Sequence, residues 1–195
     1  TTDGALLSGP PSFDTTWQKV VADRGFGIQK VELLPANVGY LEVRGFGPTE
    51  FVGEAFDAAM NLLSGSEALI LDLRRNGGGE PNSVAYLMSH FFAAGDERHL
   101  NDIYNRPEDS TRQYWTNPSV TKRYTKPVYV LISARTFSGG EECAYDFQTQ
   151  KRATLVGETT GGGLARLPAA LAKAKPMWVI LELGANDGLR GYPVK

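Results

Sequence analysis

The stretch Arg135-Thr-Phe-Ser-Gly-Gly-Glu-Glu-Cys-Ala-Tyr-Asp-Phe147 sets Ser138 ahead of two glycines, two glutamates and an apolar run. A serine in that place has two uses. Ser138-Gly-Gly-Glu141 fits the capping box, in which the serine hydroxyl accepts the amide proton three residues on and the glutamate returns the bond. The other use is nucleophilic. A serine on a sharp strand-to-helix turn has the next amide, here Gly139, beside it as a donor to a developing oxyanion, and the helix N-terminus favours negative charge there. The paired glycines speak for the second use: each costs roughly 0.8–1 kcal/mol relative to alanine in a helix interior, and they keep the space above the hydroxyl empty. A serine hydroxyl also needs a general base. Glu141, Glu158, His90 and His99 are the candidates, and spacing does not choose among them.

A second chemistry-bearing stretch is Asp72-Leu-Arg-Arg-Asn-Gly-Gly-Gly-Glu80. It reads either as a strand-ending turn or as backbone bare enough to offer N–H groups to an anion or oxyanion. It matches neither dinucleotide nor P-loop spacing, so a nucleotide site is not supported. Cys143 is the lone cysteine and His90 and His99 are the only histidines, so neither a disulfide nor a metal site is expected, and no cofactor is called for.

These residues need a scaffold, and 195 residues with 42% hydrophobic and 22% charged content suffice for one compact domain, or one with a small appendage. A net charge of -2 and the absence of long basic runs speak against nucleic acid as a partner. No apolar stretch approaches the roughly 18–20 residues of a membrane span. The chain starts at Thr1 without a signal-like core, which reads as a processed or cropped start and leaves localisation open.

The opening residues, rich in Thr, Ser, Gly and Pro, predict an irregular arm with little structure before about Trp17. Alternation in 27–34 and 38–44 around Pro35-Ala-Asn37 predicts a strand pair. Helical spacing predicts a helix over 49–63, and further helices are expected over 82–92 and 141–150. Short apolar runs at 68–73 and 126–132 predict buried strands, and 153–157 another short strand. The strand–helix alternation means crossover connections and an α/β layer structure. Residues 95–125 are polar and without strong period, a lid or surface excursion. After Gly163 an alanine-rich helix (164–175) and a strand (177–183) are expected, of different character from what precedes.

Four collinear motifs, VGYLEVRGF (38–46), ALILDLRRNGGG (68–79), KPVYVLISARTFSGGEECAYDF (126–147) and RATLVGETTGGG (152–163), resemble the core of the tail-specific, or C-terminal processing, serine protease superfamily. The likeness is to its branch containing the interphotoreceptor retinoid-binding protein and the tricorn protease core. The resemblance implies a crotonase-like ββα superhelix over about 36–163, following an arm and first strand in 1–35. It also implies Ser138 as nucleophile, the Gly139 amide and one from Gly77 or Gly78 as oxyanion donors, peptide substrates, and an extracytoplasmic setting. The chain departs from the family where its dyad members carry a lysine base in a T-F-G-K-G-like motif: Thr160-Gly-Gly-Gly163 has glycine there. The histidine of the tricorn-like branch would precede the core, and residues 1–35 contain none.

Residues 162–195 instead resemble the central portion of SGNH hydrolases of the lysophospholipase and thioesterase I type. That resemblance implies an oxyanion role for Asn186 in Gly184-Ala-Asn-Asp187. The G-D-S serine of that family is absent, and Asp96-Glu-Arg-His99, though spelled like its Asp-x-x-His element, stands on the wrong side of the asparagine block. The two resemblances meet near Gly163, as in a chimeric gene. The expectation is a serine hydrolase working by acyl transfer on peptides or small esters. A binding module for apolar ligands or peptides on the same fold is the alternative, an SGNH-type esterase the third reading, and a second copy of the chain a candidate partner.

Overall fold

The alternating segments near the start of the core form the expected hairpin. In the computed structural model, which describes residues 13–162, β1 (Ile28–Leu34) pairs antiparallel with β2 (Val38–Val43), and Ala36 and Asn37 turn the chain at positive φ of 60° and 57°. From β2 onward the connections cross over. β3 (Ala68–Asp72), β6 (Val128–Ile132) and β7 (Thr154–Gly157) join β2 in parallel register, and the five-stranded sheet has the order β1-β2-β3-β6-β7.

Helices supply the crossovers. α2 (Thr49–Leu63) buries Val52, Phe56, Ala59, Met60 and Leu63, residues three or four apart that make one apolar stripe. α3 (Pro81–Ser89) starts on a proline, whose missing N–H costs nothing at that position. α4 (Gly139–Thr149) follows Ser138 directly, and its buried face includes Cys143, Ala144 and Phe147. These stripes close over Leu41, Val43, Leu69, Leu71, Val128 and Val130, all at most 3% exposed, and at about 1.5–3 kcal/mol per buried large apolar side chain this layer is the main stabilising contact of the domain.

Two expectations are corrected. The arm was read as irregular up to Trp17, but α1 (Phe13–Asp23) starts earlier and packs on α2, with Val21 in the core. Residues 95–125, expected as a lid or surface excursion without strong period, hold a regular hairpin, β4 (His99–Asn105) with β5 (Ser110–Trp115). A register shift between His99 and Asn101 breaks the alternation, and only Leu100, Asn101 and Tyr114 of these strands are buried, so no period-2 signal reached the sequence. Helix 164–175, strand 177–183 and Asn186 lie outside the described residues, as do residues 1–12.

Candidate active site

The loops leaving the C-terminal ends of the adjacent parallel strands β3 and β6 are sewn to each other, at the end of an open α/β sheet where ligands bind. Leu73 N–H donates to the Leu131 carbonyl at 2.9 Å and Thr136 Oγ1 to the Leu73 carbonyl at 2.8 Å. Ser133 Oγ donates to the Arg74 carbonyl at 2.6 Å, and Phe137 N–H to the Asn76 carbonyl at 3.0 Å. This stitching presents Ser138 and the Gly77–Gly79 turn to each other.

Asp72, at the end of β3, anchors the first loop from below. It is 1% exposed and accepts hydrogen bonds from Arg74 Nη2 at 2.6 Å, Arg74 N–H at 2.9 Å and Tyr40 Oη at 2.6 Å. Burial alone would raise its carboxyl, but the Arg74 and Tyr40 bonds outweigh that and hold it below the usual carboxylate range, while burial and Asp72 together push the Tyr40 phenol up to about 12. A depressed carboxyl contributes stability that is complete above its unfolded pKa of about 4 and is lost as pH falls through the folded value. Wild-type Tm is therefore expected to drop more steeply below pH about 4 than that of Asp72→Asn, measured by thermal scans from pH 7 to 3.

Ser138 has φ 53° and ψ -122°. An ordinary N-cap residue sits in the β region, so capping alone does not call for this backbone, and a non-glycine residue held there stores of order 1–3 kcal/mol. The strain belongs to a turn that drives the serine out at the head of a helix. Glu141 secures the turn with the carboxylate limb of the capping box: its Oε2 accepts the Ser138 N–H at 3.0 Å. Its Oε1 accepts the Gly162 N–H at 3.1 Å, and a Cβ on Gly162 would displace the carboxylate from this position.

The amides that stay unbonded in the glycine turn are not the ones expected. Gly77 N–H is bonded to the Arg44 carbonyl at 3.0 Å and Gly78 N–H to Asn76 Oδ1 at 2.8 Å, so neither faces an oxyanion. The amides of Gly79 and Gly139 have no partner among the described residues, and a Cβ on Gly139 would lie 3.1 Å from the Gly79 nitrogen. Gly78, at φ +93°, lies against the serine: a Cβ on it would stand 2.6 Å from Ser138 Cβ and 2.8 Å from the Gly139 nitrogen.

Asn76 is the residue that sequence reasoning passed over as part of a turn. Fully buried, it donates from Nδ2 to the Val43 carbonyl at 3.0 Å, accepts from Gly78 at Oδ1, and receives Phe137 on its carbonyl, linking β2, the glycine turn and the serine turn. The Asn-Gly dipeptide was the only signal, and it is shared by many plain turns. Asn76→Ala leaves a buried acceptor and a buried donor unsatisfied at about 1–3 kcal/mol each, so a loss of about 2–6 kcal/mol in urea unfolding is expected.

Of the candidate bases, the structure brings only Glu141 against Ser138, through the serine amide, and both its carboxylate oxygens already hold backbone N–H groups. Glu158 reaches the Ala134 amide at 3.5 Å. His90, the C-cap residue of α3, is fully buried, with Nδ1 donating to the Lys122 carbonyl at 2.9 Å, and burial lowers its pKa. His99 pairs with Asp102 at 2.7 Å, and its carbonyl accepts from Gln150 at the C-terminal end of α4. Ser138 is at the other end, about 18 Å of helix away at 1.5 Å per residue. Cys143 is no rival nucleophile: burial, with Asp146 and Glu142 nearby, pushes its thiol well up.

A model of peptidase family S41 matches residues 37–168, which include every element of this site. The chain belongs to this family. The photosystem II D1 C-terminal processing protease superposes with a TM-score of 0.54 at 26% identity, over 67% of this chain and 33% of that one. The tail-specific protease of Haemophilus influenzae is 30% identical over 97 residues, 50% of this chain and 13% of that protein. The parallel-dominated sheet and these matches bear out the α/β core of the processing-protease type. A shorter match, 57% identity over 47 residues, links 24% of the chain to 23% of the esterase TesA of Pseudomonas aeruginosa, which supports the resemblance of a short stretch to esterases. The chain thus spans less than a quarter of the length of these curated relatives. Among the described residues no helix is long and apolar enough to cross a membrane, and no group of His, Cys, Asp or Glu is arranged to hold a metal.

Proposed function

We propose that the chain is a serine hydrolase that works by acyl transfer on peptides, with small activated esters as accessible substrates. The observation that carries this reading is the backbone of Ser138, strained at a strand-to-helix turn with the partnerless amides of Gly79 and Gly139 at its side. Ser138 Oγ attacks the acyl carbon while its proton passes through solvent water to the departing alkoxide or amine, the two amides stabilise the oxyanion, and the acyl ester left on the serine is hydrolysed by water to the acid and the free hydroxyl. Losing one such donor costs about 2.7–4 kcal/mol of barrier. Activated esters suit this site because their leaving groups need less protonation than amines do. Glu141 is a positioning residue here, holding the serine amide and Gly162.

The test is fluorophosphonate labelling of the whole chain, with mass mapping, beside turnover of a short-chain p-nitrophenyl ester. Labelling at Ser138 with measurable turnover is expected. No labelling and no turnover would leave the second reading, a peptide or apolar-ligand binding module. One observation favours that alternative: among the described residues no histidine, lysine or carboxylate side chain is bonded to the Ser138 hydroxyl.

A further inference from the structure

At the C-terminal ends of β2 and β3, where Glu42 and Asp72 are paired in register, both carboxylates are buried and three exposed arginines meet them. The three are not used alike. Arg74 closes on Asp72 one to one, with Nε 3.0 Å from Oδ1 and Nη2 2.6 Å from Oδ2, so its fork is engaged. Arg44 and Arg75 instead share Glu42: Arg44 Nε donates to Glu42 Oε1 at 3.0 Å, and Arg75 Nε lies 3.4 Å from that same oxygen. Their side chains are 42% and 53% exposed, and among the described residues the Nη nitrogens of neither have a hydrogen-bond partner. Three cations thus meet two anions, which leaves this cluster one positive charge in surplus on a chain whose net charge is -2.

Compensating one buried carboxylate takes one guanidinium. A second on the same oxygen adds repulsion between like charges, which an incoming anion relieves. Contact through Nε also leaves the Nη edge free, the edge whose planar fork grips a carboxylate through two bonds. The pair is stitched to the candidate active site: the Arg44 carbonyl accepts the Gly77 N–H at 3.0 Å, and Asn76, next after Arg75, accepts the N–H of Phe137, the neighbour of Ser138, at 3.0 Å. We infer that Arg44 and Arg75 form a subsite for a carboxylate of the peptide, supplied by an acidic side chain or by a chain terminus. The inference rests on the acyl-transfer reading for the peptide and adds the charge that the peptide carries.

The experiment is fluorescence anisotropy with three labelled hexapeptides identical but for the last residue: a glutamate amide, a glutamine with a free carboxylate, and a glutamine amide. The protein is the full chain carrying Ser138→Ala, so that binding is read without turnover. At low salt a carboxylate peptide is expected to bind at least about 5-fold tighter than the neutral one, the glutamate amide if the subsite takes a side chain and the free acid if it takes a terminus. Adding Arg75→Gln should bring that ratio to about 1. Glu42→Gln, which removes the competing carboxylate, should raise it about 2-fold or more, and Arg106→Gln, which removes an exposed charge from the β4–β5 turn, should leave it as it was. If Arg75→Gln fails to fold, Arg75→Lys is read in its place, since it keeps the charge and loses the fork. A ratio near 1 before any change at Arg75, or the same ratio after it, overturns the inference. Ester turnover by the wild type reports separately on the acyl-transfer reading: the ratio without turnover places the subsite on a binding module, and turnover without the ratio removes the subsite alone.

Discussion

Ser138→Ala is expected to lose ester turnover by on the order of 10³-fold or more and to lose fluorophosphonate labelling altogether, while unfolding in urea close to wild type. A nucleophile has no substitute in its own covalent step, and removal of the serine in equipped hydrolases leaves only what binding and oxyanion donors contribute. Stability behaves differently. The alanine variant loses whatever the hydroxyl gives as a cap, typically about 1 kcal/mol, but keeps a Cβ at φ 53°. Ser138→Gly separates the two terms, because glycine adopts positive φ freely and should recover about 1 kcal/mol relative to alanine. A serine that served only as a cap would show the reverse: a stability loss in both variants and an activity that never depended on it. Glycine less stable than alanine in paired urea titrations would remove the case for a strained turn.

Gly78→Ala is expected to damage both the fold of the site and its turnover. The added carbon meets Ser138 Cβ at 2.6 Å, the Gly139 nitrogen at 2.8 Å and the Phe137 carbonyl at 2.9 Å, and backbone atoms cannot rotate away. At φ +93° the alanine is strained even before these contacts. Together, backbone strain and overpacking should cost about 2–5 kcal/mol. Displacing the Gly139 amide by tenths of an ångström should lower turnover by on the order of 10²-fold. Gly77→Ala is the control one residue away: its Cβ would meet nothing within 4 Å, its φ is not in the left-handed region, and its N–H stays on the Arg44 carbonyl. Near-wild-type stability and turnover are expected for it. Comparable losses in both variants, measured by urea midpoint and initial rate, would refute the assignment of the second donor to Gly79 in place of Gly77.

Much of the architecture was legible from local pattern. The hairpin at 28–43, the helix at 49–63 and the three parallel strands follow from alternation, from helical spacing and from short apolar runs, and β2, α2, β3 and β6 each have buried positions that impose a period on the chain. The β4–β5 hairpin was not legible, since a bulge interrupts its alternation and polar residues cover most of it. α1 was hidden by the unstructured-looking composition ahead of it, and among its described side chains Val21 alone is buried.

For the site, residue types alone determined the serine, the glycines around it and the glutamate three residues on, because a turn that sharp admits few side chains. Which amides remain for an oxyanion was decided in three dimensions. Gly77 and Gly78 look equivalent to Gly79 along the chain, and only the docking of the turn against Arg44, Asn76 and Phe46 uses up two of the three N–H groups or their surroundings. The same holds for the bases. Four residues were chemically eligible, yet burial at the C-terminal end of α3 removes His90, a partner at the far end of α4 holds His99, and two backbone amides occupy Glu141. Sequence determines which groups a chain owns; their availability depends on the hydrogen bonds that packing has already made with them.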